Sequence, residues 1–371
     1  MSFIRKVLVV KTTQATLPLA LLALATCTAA DSDGPPEVPR FRWQNFTVAD
    51  GLPDNRVYSV AVDGARVWAG TDNGLALYEN GKFRMFRPED GLAHRACLSV
   101  AIDKKTHDLW IGTMGGASRY SGGRFDTFTQ LNSGLANDVV YKVAPYGDEV
   151  WFATAAGGSR LNLRTNQWIL YNERNAPMHE VWTYSVSPGD DKVYYAVWGG
   201  GLLEYTRAMD RWRQYVDPDG ENELVVYRDQ GLIHNITTSV SYANGIVWVA
   251  TYFGASRYDG RNWKNFLDKD SGLPSNFLNE VKSGDGHRVW FSTDKGLAWY
   301  DCENWAVYRR APDTKRPEMT VRDAKGRTWR TPVDSAPAHN YVFAVDFQGD
   351  DIWVATAAGL SHGIRLHEHA R

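Results

Sequence analysis

From Phe41 onward the chain is a succession of short apolar and aromatic runs separated by Gly, Asn, Asp and Ser. Runs this short, bounded by turn residues, read as β-strands. Their order repeats seven times, with openings at Gly51, Gly91, Gly134, Ala176, Gly231, Gly272 and Ala336. The period is about 40 residues. The first copy, Gly51 to Phe86, reads GLPDNRVYSVAVDGARVWAGTDNGLALYENGKFRMF. Each opening leads into a first run, and a second run follows, centred on Trp68, Trp110, Trp151, Tyr195, Trp248, Trp290 or Trp353. A Gly-rich turn introduces a third run, such as Gly296-Leu-Ala-Trp-Tyr, and a fourth closes most copies, such as Asn262-Trp-Lys-Asn-Phe.

Four short strands per repeat predict an all-β, seven-bladed β-propeller with four-stranded blades. One blade has two apolar faces and cannot cover both alone; stacking blades in a closed ring covers all of them and leaves no end. The aromatic of each second strand is expected to fill the layer between blades. The last repeat has three runs, Tyr341–Phe347, Asp351–Ala355 and Leu360–Ile364, and an orphan run, Phe41–Val48, precedes the first. The orphan is expected to complete the last blade, closing the ring with strands from both ends of the propeller.

The pattern GLP-x-N-x-V followed by W-x-G-T-x-x-G-L-x-x-Y is clearest in the first, second and sixth copies. It resembles the two-component regulator propeller repeats of bacterial sensor proteins, over roughly Phe41 to Ile364. The resemblance implies the propeller fold and an extracytoplasmic sensing role. No transmembrane run, kinase or DNA-binding segment follows the repeats in this sequence, so signalling is implied only weakly.

Charge and the N-terminus set the compartment. A formal net charge of -2 gives no reason to expect a nucleic-acid partner. Arg5, Lys6 and Lys11 precede an apolar run, Leu17–Ala25, that is short for a membrane span, so residues 1–30 read as an export signal. Two cleavage sites compete: Thr28-Ala-Ala before Asp31, and a lipobox-like Leu24-Ala-Thr before Cys27, where Thr26 departs from the usual Gly or Ala. The expected location is periplasmic or secreted, with an outer-membrane lipoprotein as the alternative. Residues 31–40 read as a Pro-rich linker, 41–364 as the propeller and 365–371 as a tail. Cys97 and Cys302 fall in the second and sixth repeats, too far apart in a ring for a disulfide, and are expected to be a buried and a surface thiol.

The candidate chemistry lies in the 9 histidines. His94, His234 and His339 share one slot, three residues after the opening residue of their copies, and His179 holds it in the fourth. Asp54, Asn137 and Ser275 hold it elsewhere. The slot lies where the chain enters the channel-lining strand, so four imidazoles are expected around one mouth of the channel. Converging imidazoles suit a transition metal such as Fe, Cu or Zn, and the arrangement resembles the four-histidine iron centre of carotenoid-cleaving oxygenases, though no sequence motif of that family is present. The competing reading is that His caps the strand entrance as Asn and Asp do.

Around the slot, Asp54, Asp138 and Glu180 are candidate orienting groups or solvated loop acids, and Trp182 and Tyr184 candidate walls or core. His107, His287, His362, His367 and His369 are not assigned to the site. The insertions Asp217–Gln230 and Arg310–Ser335 are expected to wall or roof the channel mouth, and the second is rich in cations. Asn45 and Asn235 match glycosylation acceptors, a pattern frequent by chance. No phosphate loop, zinc-protease helix or nucleophile elbow is present. The sequence thus predicts an exported metalloprotein with a four-histidine site that binds or transforms a small ligand. The alternative is a metal-free extracytoplasmic sensor, ligand-binding or protein-interaction propeller.

Overall fold

The computed structural model describes residues 34–220, 227–284 and 288–367. The export segment, the Leu224-Val-Val run of the first insertion, His287 and His369 lie outside them.

Seven antiparallel sheets follow one another along the chain. Blade one is made of Val57–Asp63, Arg66–Thr71, Gly74–Glu79 and Lys82–Phe86, paired in that order from the channel outward. The predicted second-strand aromatics are all buried, at 6% exposure or less. The six Trp fill the layer between their own blade and the next; in blade four the expected Tyr195 faces back to Trp151 of blade three, and its neighbour Tyr194 packs toward Val240 and Val249 of blade five. Trp68 of blade one packs with Cys97, Val100 and Ile111 of blade two, and Trp353 of blade seven with Val57 and Val60 of blade one. The second strand of every blade is thereby removed from water on both faces.

The Gly-Thr-x-x-Gly wording has a local cause. In six blades the Thr ending the second strand donates to the carbonyl of the Gly opening the third, as Thr154 does to Gly157 at 2.7 Å. Gly157 has φ 100°, and a Cβ there would lie 2.2 Å from the Tyr171 carbonyl oxygen, so only glycine fits. Blade four has Val197 instead of Thr; Thr237 of blade five supplies the hydroxyl, bonding the Val197 and Gly201 carbonyls.

The ring closes as expected. Phe41–Phe46 pairs with Gly359–Arg365 in register from Phe41↔Arg365 to Phe46↔Leu360, completing blade seven outside Val342–Gln348 and Asp351–Thr356. The preceding residues also join the body: Val38 and Pro39 are buried, and the Pro39 carbonyl accepts the Tyr308 hydroxyl.

The second insertion departs from expectation. It does not roof the channel. Pro317–Arg322 and Thr328–Pro332 add two strands to the outer edge of blade six, beyond Trp305–Arg310, making that sheet six-stranded. The edge of a sheet is a row of unpaired backbone groups, and an insertion that follows directly from it pairs there before it can reach across a face. What the structure describes of the first insertion is held at the rim, where the Arg228 guanidinium pairs with Asp270 and donates to the Asn265 carbonyl.

Candidate functional site

The channel-lining strands share one irregularity. In all seven blades the strand register shifts at its second residue. A bulge leaves that residue unpaired and re-aims its side chain. The seven bulged residues, Tyr58, Leu98, Tyr141, Tyr184, Thr238, Asn279 and Phe343, all line one cavity of about 280 Å³ at the end of the channel where the inner strands begin.

Aromatic rings form a girdle around this mouth. Tyr141 stacks on Tyr184 at 4.6 Å, and Tyr184 meets Trp198 at 5.1 Å. Trp198 meets Tyr252 at 5.0 Å, and Tyr252 stacks on Phe277 at 3.8 Å. Phe277, Tyr341, Phe343 and Tyr58 continue the series at 6.3, 4.9 and 5.2 Å. The run passes from blade three round to blade one, and Leu98 and Met114 of blade two line the remaining arc. Burial pushes the Tyr184 phenol up to about 12 and raises those of Tyr58, Tyr141, Tyr252 and Tyr341, so the girdle is uncharged at neutral pH.

A charged bar floors the mouth. Lys142 Nζ of blade three reaches Glu280 Oε1 of blade six at 2.8 Å, and Glu280 Oε2 accepts the Val345 amide at 2.9 Å. Both side chains also border the vestibule at the other end of the channel, a cavity of about 640 Å³. There Lys282 sits 2.9 Å from Asp346. Burial opposes the charge on Lys282, but the Asp346 and Glu280 carboxylates outweigh it and its ammonium titrates above its ordinary value. The channel is therefore two chambers, one aromatic and one of paired charges.

The slot residues do something else. His94 Nδ1 accepts the Ala96 amide at 3.0 Å, His234 Nδ1 the Ile236 amide at 3.0 Å, and His339 Nδ1 the Tyr341 amide at 2.9 Å. Asp54, Asn137 and Ser275 make the same bond to Arg56, Val139 and Phe277. Six of the seven slots thus cap the chain where it enters the inner strand. A neutral imidazole has one acceptor nitrogen; once Nδ1 takes an amide proton, Nε2 carries the ring proton and offers no lone pair to a metal. The rings also turn toward their own blades. His234 stacks on Phe253 at 3.9 Å, and His94 lies against Gly115. Burial lowers the His339 pKa, helped by Arg310 and Lys315 nearby, which keeps the cap neutral and would repel a cation. His179 is exposed, and one more residue separates it from its inner strand, which begins at Thr183, than separates His94 from Cys97 or His234 from Thr237, so it is out of register with the other slots. Among the described residues no three His, Cys, Asp or Glu stand together as a metal-binding group. The expected Fe, Cu or Zn site at His94, His179, His234 and His339 does not fit this geometry.

The neighbours divide. Tyr184 stands in the girdle, whereas Trp182 is 52% exposed on the rim. Asp138 and Asp54 bond backbone amides of the entry loops, and Glu180 lies against the Gly199–Gly200 turn. His107 pairs with Asp63 at 2.7 Å beside the far vestibule, and His362 stacks on Trp353. Cys97 is buried, its thiol pushed up to about 12 by burial, and Cys302 is exposed; neither is in a disulfide. The girdle itself escapes a reading of the repeat, because its members occupy three different repeat positions: the bulge, the residue just before the inner strand, and the turn after the second strand. The recurrence of Tyr, Phe and Leu at the bulge was the available clue.

This fold and mouth define a seven-bladed β-propeller with an aromatic-walled channel. The propeller fold is shared with extracellular domains of two-component system proteins. Two such domains, from putative hybrid two-component systems of B. thetaiotaomicron, superpose with TM-scores of 0.64 and 0.62 at 17% and 18% identity. Each match covers 87% of this chain, but the chain spans only 42% and 39% of their lengths. Virginiamycin B lyase from Staphylococcus aureus matches at TM-score 0.61 and 12% identity, over 89% of this chain and 100% of the lyase. At these identities the likeness is one of fold. The propeller architecture of the sensor repeats that the sequence resembles is thus found among the structural neighbours. No protein-family model and no curated protein matches the sequence.

Proposed function

We propose that this chain is a metal-free extracytoplasmic recognition propeller, which holds a small uncharged ring compound in the aromatic mouth of its channel. The observation that carries the reading is the convergence of all seven bulged residues on one cavity of about 280 Å³, ringed by aromatic faces and floored by the Lys142–Glu280 pair. Such a cavity is close to the lower end of ligand pockets, roughly 300–1,000 Å³, so the ligand is small. Flat faces stack on the rings, while the Lys142 and Glu280 heads orient polar substituents. The export-signal reading of the N-terminus and the extracellular neighbours support the location.

The test is saturation-transfer NMR with indole and methyl glucopyranoside as probes, on the native chain and on Tyr141→Ala/Tyr252→Ala. Binding of at least one probe, weakened about tenfold in the variant, is expected, since one stacked ring contributes about 0.5–1.5 kcal/mol. Absence of both from the native protein, or binding that ignores the variant, refutes the reading. Exposed Met114, Leu131, Trp182 and Phe253 on the loops of the same face favour a protein seated over the mouth as the second reading. In that case a photo-crosslinking residue at Trp182, and not one at Met209, should capture a partner in the cell envelope.

A further inference from the structure

Among the described residues, the two strands added to blade six create a surface that no other blade has. Residues paired across antiparallel strands share a face of the sheet. Trp305↔Arg322↔Thr328 and Val307↔Thr320↔Arg330 therefore lie on one side, and Tyr308↔Met319↔Thr331 on the other. The second side is covered: Met319 and Val321 pack with Phe41, Trp43 and Val38. The first side meets blade five, which has only four strands. Trp305 and Val307 are buried against it, but the added strands project past its edge. Between them and the Asp268–Pro274 loop lies a groove of about 470 Å³.

The groove is apolar at its inner end and cationic at its outer end. Arg309 is paired with Glu318 at 2.7 Å. Among the described residues no carboxylate pairs with Lys269, Arg322 or Arg330, and Asp268 is the one acid on the described wall. Arg322 makes only a long bond, 3.4 Å, to the Asp270 carbonyl. The Thr320 hydroxyl between them is shut away from water with no partner. An unbonded buried hydroxyl is costly, and a guanidinium pair on one sheet face matches the two oxygens of a carboxylate or sulfate.

We propose that this groove is a second ligand site, for an organic anion that lays an apolar body against Trp305 and Val307 and places its carboxylate or sulfate between Arg322 and Arg330. Its volume suits a ligand larger than the channel mouth admits. It is separate from the mouth, so either can fail without the other.

Titration calorimetry decides it, with 2-naphthoate, 2-naphthalenesulfonate, neutral 2-naphthylmethanol and inorganic sulfate as probes. The proteins are the native chain, Arg322→Ala/Arg330→Ala and Tyr141→Ala/Tyr252→Ala, each checked for an unchanged melting transition. Both organic anions should bind about tenfold or more tighter than the neutral probe and than sulfate. That advantage should vanish in the arginine variant, persist in the tyrosine variant, and shrink as salt rises from about 50 to about 500 mM. A stronger carboxylate or a stronger sulfonate identifies which oxyanion the site prefers. Equal affinity for charged and neutral probes, sulfate binding as tightly as the sulfonate, an advantage that survives the arginine variant, or no binding at all, overturns the proposal.

Discussion

Replacing His94 and His339 together by Asn, and separately by Ala, separates strand capping from metal binding. Each Nδ1 accepts one backbone amide, at 3.0 and 2.9 Å. An intramolecular hydrogen bond contributes about 0.5–1.5 kcal/mol net, so the double Ala variant should lose about 2 kcal/mol. That corresponds to a Tm fall of roughly 4–8 °C for a domain of 150–250 residues, and somewhat less for a ring of this size. The double Asn variant should lose much less, because Asn137 already makes the same bond to Val139 at 2.8 Å in its own slot. Urea unfolding followed by circular dichroism gives the two values, and mass spectrometry of the dialysed protein gives metal content. We expect less than one transition metal per chain in every variant. An Asn pair destabilised as far as the Ala pair, together with loss of a stoichiometric Fe, Cu or Zn, would refute the capping account and restore the metal site.

Other expectations test the ring and its core. Trp43→Ala, in the closing strand, should cost about 3–5 kcal/mol as a buried aromatic deletion, with hydrogen-exchange protection lost first in blade seven; uniform loss across all blades argues against closure by that strand. Glu204 is buried, and although burial favours its neutral form, Lys192 at 2.9 Å and the Tyr194 and Tyr215 hydroxyls hold its pKa below the ordinary value. The folded state therefore binds this proton less readily than the unfolded chain. The stability from this group is complete above the unfolded pKa, about 4.3, and is lost as pH falls through the folded value. Urea midpoints should drop below pH 4 more steeply in the native protein than in Glu204→Gln. At pH 8, a thiol reagent should label Cys302 in the folded protein and Cys97 only after denaturation; rapid labelling of Cys97 would show that blade two opens locally.

The blades and their closure were legible in the sequence because their causes are local. An aromatic in each second strand and alternating short runs recur in every copy, and a Thr capping the Gly turn recurs in six. The missing fourth strand of the last copy could be counted against the orphan run at Phe41. The slot histidines were legible as a coincidence but not as a mechanism. Asp54, Asn137 and Ser275 in the same slot share with His only a side-chain acceptor, and that shared property pointed to capping. The direction of each ring and the atom its Nδ1 met required coordinates.

The tertiary structure alone decided the rest. Residues of seven blades meet at the channel, and no repeat position records which of them face each other. Lys142 and Glu280 stand 138 positions apart and become a pair only when the ring closes. The aromatic girdle is assembled from three repeat positions, so no single one of them reveals it. The Arg310–Ser335 insertion shows the same limit from outside the ring. Its strand-like runs were visible, but whether they roofed the channel or widened a blade depended on which backbone groups lay unpaired beside them. Local sequence sets what each strand buries and how each turn closes; the closed ring sets which side chains become neighbours, and function depends on those neighbours.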